Sequence, residues 1–198
     1  MSIVAMSRRR LALGLGLVGL LARCGDTPPP RLFTLSARSA VPMGESSLTI
    51  MITQLTLPKY LDRPEIVRYG SAYELHLSEF ERWGEEMNEM VTRTIMENLA
   101  LRLPHAQIFT AHGLAASSVD ATVDIDIGRF DAGADGVVVL AARWIVRRER
   151  RPADFQTARL TMQPASPSTV DLVAAMSDVL GQFADILVTR AQSVLEAA

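Results

Sequence analysis

Two segments of the chain repeat apolar residues every three or four positions, which is the spacing of an amphipathic helix. The first stripe consists of Phe80, Trp83, Met87, Val91, Ile95 and Leu99, and the second of Leu172, Met176, Val179, Phe183, Ile186 and Val194. Ser78 and Glu81 have the spacing of a capping box, so the first helix is predicted to begin at Ser78 and to stop at Pro104. Ser168 and Asp171 repeat that spacing before the second stripe. Each predicted helix therefore has one face to bury.

Alternation of apolar and polar residues predicts strands in the rest of the chain. The clearest case is residues 119–128, where Val119, Ala121, Val123, Ile125 and Ile127 alternate with polar residues or glycine. The other predicted strands cover residues 48–57, 66–69, 72–77, 107–112, 137–146 and 155–162, and "RLFTL" at 31–35 can add an edge strand. Asp135-Gly136 is a tight-turn pair, so the last three strands are predicted to form a meander.

These elements predict an α/β fold with the order β-β-β-α-β-β-β-β-α. The economical way to bury two apolar helix faces is a two-layer sandwich, with a mixed or mostly antiparallel sheet and both helices on one face. The C-terminal helix could instead dock its stripe on a partner, but burial on its own sheet is favoured because the domain otherwise lacks a cover. A single domain is expected over residues 48–198.

The N-terminus has the layout of a bacterial export signal. Arg8, Arg9 and Arg10 precede the uncharged apolar run of residues 11–22, which is too short to span a bilayer comfortably. "LARC" resembles a lipobox, so residues 1–23 are predicted to be a lipoprotein signal peptide and Cys24 to be lipidated. Arg23 departs from the small residue normal before that cysteine. Residues 24–47, which begin with a proline-rich stem, are predicted to be a tether and loop.

Charge and cysteine content narrow the class of protein. The whole chain has a formal net charge of −2, and loss of the predicted signal removes four arginines and no acid, which leaves −6. A mildly acidic domain is not expected to bind nucleic acid through its overall charge. Cys24 is the single cysteine and the chain has three histidines, so neither an intrachain disulfide nor a Cys/His zinc site is expected.

Candidate chemistry is sparse. Asp120, Asp124 and Asp126 share one strand face, but Arg129 stands where a calcium loop needs glycine, so a solvated face is favoured. No hydrolase, metalloprotease or phosphate-loop motif is present, and we expect no enzyme activity, cofactor or metal. The densest basic cluster consists of Arg143, Arg147, Arg148, Arg150 and Arg151. It could bind a lipid head group or an acidic partner, although protection of a sheet edge is favoured.

The segments "LTLPKYLDRPEIVRY" and "ELHLSEFERWGEEMNEMVTRTIMENLALRLP" resemble the ABC-type transport auxiliary lipoprotein family. The resemblance covers roughly residues 20–196 and is strongest over 48–104, where Pro58, Tyr60 to Pro64 and the Arg82-Trp83 pair carry it. It implies a non-catalytic, periplasm-facing lipoprotein. The implied partners are a mammalian-cell-entry-domain protein and an inner-membrane transporter, which together move phospholipid or other hydrophobic cargo between the membranes.

The resemblance also suggests an assembly surface. Tyr60, Asp62, Arg63 and Trp83 are the predicted partner-binding residues, although a stiff connection with a local Asp–Arg pair, and simple packing of Trp83, explain the same residues. Gly25 follows the predicted lipidation site, which favours the outer membrane. A homo-oligomer is compatible with these features. The alternative function is a structural lipoprotein that scaffolds outer-membrane or cell-wall assembly, while a hydrolase or solute-binding domain would need a pocket that the motifs do not assemble.

Overall fold

The computed structural model describes residues 28–45, 47–111, 118–148 and 155–196. Across these residues the chain forms eight β-strands and two α-helices, which is the predicted α/β sandwich. The elements are β1 Arg31–Phe33, β2 Thr49–Thr56, β3 Glu65–Ser71, β4 Glu74–Trp83, α1 Met87–Arg102, β5 Gln107–Thr110, β6 Ala121–Ala132, β7 Val138–Arg147, β8 Gln156–Met162 and α2 Thr169–Glu196. The predicted order is confirmed, and β1 is the additional edge strand.

The sheet is mixed and is organised around β6. On one side β6 pairs antiparallel with β7, which pairs antiparallel with β8, so the predicted meander is confirmed. On its other side β6 pairs in parallel with β2 and, farther along, with β3. β2 also pairs in parallel with β5. β3 pairs antiparallel with β4, and β4 pairs in parallel with β1. Beside β6 the sheet therefore divides into two wings, one of β2 and β5 and the other of β3, β4 and β1.

A tight turn connects β6 to β7 at the predicted Asp135-Gly136 pair. Gly136 has a φ of 79°, a left-handed conformation that glycine adopts without steric cost. Its N–H donates to the carbonyl of Gly133, and the Asp135 carboxylate accepts from the N–H of Val137. The turn residues that the sequence supplied are thus the ones that close the hairpin.

Both helices lie on one face of the sheet and touch each other. α1 packs on β2 and β5, and α2 packs on β6, β7 and β8. Met87, Val91, Ile95 and Leu99 of the first predicted stripe, and Leu172, Met176, Val179 and Phe183 of the second, are buried. They meet the inward residues of the strands, which include Ile50, Ile52, Val123, Ile125 and Ile127. This interface is the core of the protein.

α2 is the longest element and is strongly apolar. By length and composition residues Thr169–Val194 could cross a membrane, but 67% of their most apolar window is buried inside the structure. Phe183 contacts Trp144 of β7 edge to face, with ring centroids 5.2 Å apart. The helix therefore covers its own sheet, as the sequence favoured, and behaves as a core helix.

The predicted start of the first helix at Ser78 is wrong. Residues 78–83 continue β4, and α1 begins only at Met87, after Gly84. β4 is held on both sides, because it pairs with β3 and its last residues pair with β1. Glu81 does not cap a helix: its carboxylate accepts from the hydroxyl of Thr169 at the start of α2. These tertiary contacts outweigh the local capping signal.

The second capping signal is confirmed. α2 begins at Thr169, and the hydroxyl of Ser168 accepts a hydrogen bond from the N–H of Asp171 at 3.1 Å. Such a bond satisfies one of the four N–H groups that a helix leaves free at its start. The Asp171 carboxylate is used differently from a capping box, since it accepts from the hydroxyl of Ser166.

The segment that follows β1 packs against both helices, and we call residues 34–43 the crossing segment. Leu35 is 1% exposed and its N–H contacts the Met90 sulfur of α1 at 3.3 Å. Its backbone forms further hydrogen bonds with both helices: Ser36 N–H to Ser177 Oγ, Arg38 N–H to Asn98 Oδ1, Met43 N–H to the Arg102 carbonyl, and Gln192 Nε2 to the Met43 carbonyl. Packed structure therefore begins upstream of Leu48, the predicted start of the domain.

A buried arginine joins the two helices. Arg102 is 3% exposed, and its guanidinium donates to Asp185, to the carbonyl of Gly181 and to both the carbonyl and side-chain oxygens of Asn98. A guanidinium has five N–H donors in a planar fork, so one side chain can serve all these acceptors. Arg38 of the crossing segment pairs with Asp178 of α2. The polar network fixes how α1 and α2 cross.

Candidate functional site

The segment that carries the family resemblance leaves the sheet between two collinear strands. β2 pairs with the first half of β6, from Ile50 opposite Ala121 to Thr56 opposite Asp126, whereas β3 pairs with the end of β6 at Ala132. The two strands thus follow one another along the same edge of β6. Residues 57–64, the β2–β3 loop, lie outside the sheet at the point where its two wings separate.

Tyr60 holds the loop against β6. It lies in a short 3₁₀ helix, Lys59–Leu61, and its hydroxyl donates to Asp131 Oδ2 at 2.5 Å. The Asp131 side chain is fully buried, and its other oxygen accepts from Arg129 Nε at 2.9 Å. The Arg129 guanidinium lies 4.7 Å above the ring of Tyr69, which meets the Tyr60 ring edge to face. One buried carboxylate therefore joins the loop to the sheet.

The electrostatics of this contact favour the neutral phenol. Burial, followed by the hydrogen bond to Asp131 and its negative charge, raises the pKa of Tyr60 far above its ordinary value. Arg129 acts in the opposite direction but does not outweigh these effects. Tyr60 therefore stays protonated and works as a permanent hydrogen-bond donor to the buried carboxylate.

The other side of the loop faces solvent. Asp62, Arg63 and Pro64 are exposed, while Leu61 is buried beneath them. The N–H of Trp83 donates to the Pro64 carbonyl at 2.7 Å, which ties the end of the loop to the end of β4. A surface groove of about 370 Å³ lies along this junction and is lined by Asp62, Arg63, Pro64, Trp83, Gly84, Glu85, Glu86 and Met87. We call it the loop groove.

The lining of the loop groove carries three carboxylates, Asp62, Glu85 and Glu86, and one cation, Arg63. A hydrogen bond from Arg93 on α1 lowers the pKa of Glu85 and neutralises that carboxylate as an ion pair. Asp62 and Glu86 are exposed to a partner, so the groove suits a segment that brings basic side chains.

The structure brings three of the four predicted partner-binding residues together. Asp62, Arg63 and Trp83 line one groove, although Trp83 is only 6% exposed and contributes mainly to its floor. Tyr60 points to the opposite side, toward Asp131. Its hydrogen bond fixes the loop from inside, and partner binding by all four residues stays a prediction.

Sequence reasoning did not identify Asp131 as part of this arrangement. It lies beyond the stretch of β6 that alternates regularly, because the pairing of β6 with β7 shifts between Ile127 and Arg129. Beyond the irregularity Phe130, Asp131 and Ala132 are all buried, and Asp131 is contacted by Tyr60 of the β2–β3 loop and by Arg129. A charged residue after an apolar strand carries no local signal of burial.

The acidic face of β6 is paired with arginines of β7. Asp126 accepts from Arg143 and from Thr56, and Asp124 accepts from Arg147 and from Thr53. Burial alone would raise the pKa of Asp124, but these hydrogen bonds outweigh it, and the pKa values of both carboxylates are lowered.

Much of the predicted basic cluster is thus used within the sheet. Arg143 and Arg147 form these ion pairs, and Arg148 also has an interaction partner. Arg150 and Arg151 lie outside the described residues, as does the predicted lipidation site Cys24. Within the described ranges no group of three or more His, Cys, Asp or Glu side chains is placed to hold a metal ion.

Comparison with known proteins identifies the class. The model of the ABC-type transport auxiliary lipoprotein component family matches residues 33–188, and the chain belongs to this family. The match includes β2, the β2–β3 loop, β4, α1 and the first 20 residues of α2. The family predicted from the sequence is therefore confirmed. The chain is an envelope protein of the lipoprotein type that serves as an auxiliary transport component.

Solved structures share the fold. The crystal structure of an uncharacterized protein has a TM-score of 0.70 at 15% identity, covering 82% of this chain and 99% of its own. A Xanthomonas campestris protein of the DUF330 family has a TM-score of 0.65 at 14% identity, covering 80% of this chain and 92% of its own. No curated protein sequence matches this chain.

Proposed function

We propose that the protein is a non-catalytic auxiliary subunit of an ABC transport system that works with a mammalian-cell-entry-domain protein. Its cargo would be phospholipid or another hydrophobic molecule moving between the inner and outer membranes. The observation that carries this proposal is the family match over residues 33–188.

The geometry of the β2–β3 loop supports a partner-binding role. Buried contacts hold the loop from inside through Tyr60 and Leu61, so the exposed Asp62 and Arg63 are presented with little freedom. A surface that is ordered before binding loses less conformational entropy when a partner docks. The carboxylates of the loop groove would attract a basic segment of the mammalian-cell-entry-domain protein and orient it.

The proposed role of the protein is non-catalytic. Among the residues that the structure describes, the most buried ionisable groups are Asp131 and Arg102, and the hydrogen bonds of each hold elements of the fold together. A lipid chain on Cys24 would hold the protein at a membrane. Gly25, rather than aspartate, after that cysteine supports the outer membrane as its place.

Co-purification tests this function. The full chain, tagged at the C-terminus, is produced in the envelope together with a transporter permease and a mammalian-cell-entry-domain protein from the same organism. We expect both partners to be retained after solubilisation in mild detergent. Absence of the mammalian-cell-entry-domain protein from the eluate, when both proteins are folded and present in the membrane fraction, would instead favour a structural scaffold.

A further inference from the structure

The end of the β3–β4 hairpin projects beyond the rest of the sheet. β3 pairs with β6 only at Arg68, and the residues that follow have β4 as their strand neighbour. Three large apolar side chains are exposed on this hairpin: Tyr73 in the turn is 100% exposed, Leu75 next to the turn is 38% exposed, and Leu77 farther along β4 is 46% exposed. We call residues 71–75 the hairpin end. Large apolar side chains clustered on a projecting end are characteristic of a binding surface.

The direction of β1 relates this end to the predicted lipid anchor. β1 runs parallel to β4, with Arg31 opposite Glu81 and Phe33 opposite Trp83. Moving upstream from Arg31 therefore corresponds to moving along β4 from Glu81 toward its first residue, Glu74. The polypeptide that leads back to Cys24 leaves β1 toward the hairpin end.

The length of β4 from Glu81 to Glu74 matches the reach of the stem, residues 24–30, that precedes β1. From Glu81 to Glu74 a strand rises by about 23 Å, at about 3.3 Å per residue. Residues 24–30 include Pro28, Pro29 and Pro30, and a polyproline conformation would give this stem a reach of about 22 Å. A stem of this length, if extended along β4, would bring a lipid on Cys24 level with the hairpin end, and it would be too short to lift the domain clear of the bilayer.

We infer that the hairpin end is a membrane-contact site, which seats Tyr73 in the interfacial layer of the bilayer that holds the lipid on Cys24. Tyrosine suits this layer, because its ring is apolar and its hydroxyl remains hydrated. Leu75 adds apolar surface next to it. The inference rests on the attachment through Cys24 in the proposed function, and it gives the domain a second contact that fixes its orientation at the membrane.

Site-specific fluorescence tests the inference without requiring a partner or natural lipidation. The mature chain, residues 24–198, is coupled through its single cysteine to a maleimide-headgroup lipid. The vesicles contain phosphatidylethanolamine and phosphatidylglycerol, with or without brominated acyl chains that quench tryptophan. Tyr73→Trp places the probe at the hairpin end, while the native Trp83 and Trp144 are 6% and 3% exposed and give a constant background.

Leu101→Trp is the matched control. Leu101 is 44% exposed, and it lies near the end of α1, which leads to the start of β5 beside Thr49, at the opposite end of the sheet from the hairpin end. Circular dichroism and thermal unfolding of both variants check that the fold is kept.

We expect brominated lipid to reduce the emission added by Tyr73→Trp about twofold, with a blue shift on coupling, because interfacial tryptophan reaches the upper acyl chains. The emission added by Leu101→Trp should not change. Equal quenching of both probes, or no quenching at position 73 in a fully coupled and folded sample, would overturn the inference. Loss of partner retention by Tyr73→Ser together with an unquenched probe would assign the hairpin end to a protein partner instead.

Discussion

The hydroxyl of Tyr60 and the carboxylate of Asp131 form a 2.5 Å hydrogen bond between the β2–β3 loop and the strand that it borders. Asp131 is fully buried, so it depends on Tyr60 and Arg129 for its hydrogen bonds. A buried carboxylate without partners is strongly destabilising. The contact therefore makes the position of the loop part of the stability of the domain.

Substitution of Tyr60 by phenylalanine should destabilise the protein by about 2 kcal/mol, because it removes a hydrogen bond to a buried charged group. The ring and its contact with Tyr69 remain. Urea denaturation followed by circular dichroism measures the free energy of unfolding. Tyr73→Phe is the control, since that side chain is 100% exposed and its hydroxyl has no structural role. Equal stabilities of the two variants would contradict this account.

The same variant should change the response to alkali. The pKa of Tyr60 is raised on folding, so its contribution to stability is complete below the unfolded pKa of about 10 and is lost as the pH rises toward the higher folded value. The wild-type protein should lose stability above about pH 10 more steeply than Tyr60→Phe. Unfolding free energies measured across that range check the difference in slope.

Asp124 and Asp126 should give the protein acid sensitivity. Their pKa values are lowered on folding, so they stabilise the fold above the unfolded pKa of about 4, and this contribution is lost as the pH falls through the lower folded values. The double variant Asp124→Asn/Asp126→Asn should cost less than about 1 kcal/mol at neutral pH, because the ion pairs are partly exposed. Its stability should fall less steeply in acid, whereas a slope equal to that of the wild type would exclude these pairs as the cause.

Substitution of the buried Arg102 should destabilise the protein more than substitution of its partner Asp185. Arg102→Met should cost about 2–3 kcal/mol, because it removes the donors to Gly181, Asn98 and Asp185. Asp185→Asn should cost less than Arg102→Met, because the amide oxygen of asparagine can still accept from Arg102 and this side chain is 49% exposed to water. Thermal unfolding of both variants compares them, and an equal loss would show that the exposed ion pair, rather than the buried bonds, holds the helices.

The crossing segment should contribute to the stability of the fold. Leu35→Ala removes a side chain that is 1% exposed and should destabilise the domain by about 3 kcal/mol. Val41→Ala on the same segment is the control, because Val41 is 82% exposed and should change stability by less than about 0.5 kcal/mol. Chemical denaturation of both variants measures the effect, and a neutral Leu35→Ala would place this segment outside the cooperative unit.

The sequence predicted those elements whose burial repeats at a fixed period. Residues 121–127 of β6 and the α1 residues Met87 to Leu99 alternate or recur regularly, and their buried faces are as predicted. The helical period gave a wrong prediction at Phe80 and Trp83, which lie in β4. Their three-residue spacing continues the helical stripe by coincidence, but pairing with β1 and β3 keeps them in β4.

The internal side of the candidate site could not be predicted from local patterns. Tyr60 and Asp131 are far apart in sequence, and they meet only because β2 and β3 follow one another along β6. The crossing segment is similarly set by contacts with two distant helices rather than by its own periodicity. Resemblance to the family identified Asp62, Arg63 and Trp83 together, but only the fold shows that they line one groove while Tyr60 faces away from it.

Retention of the mammalian-cell-entry-domain protein by charge-swapped variants of the loop groove tests the central claim most directly. Asp62→Lys reverses one exposed carboxylate of the loop groove, and Glu89→Lys on the exposed surface of α1 makes the same change in net charge outside the groove. With thermal stability unchanged, we expect about tenfold weaker retention for Asp62→Lys, which corresponds to about 1.4 kcal/mol, and wild-type retention for Glu89→Lys. Undiminished retention by folded Asp62→Lys would contradict partner binding at the loop groove.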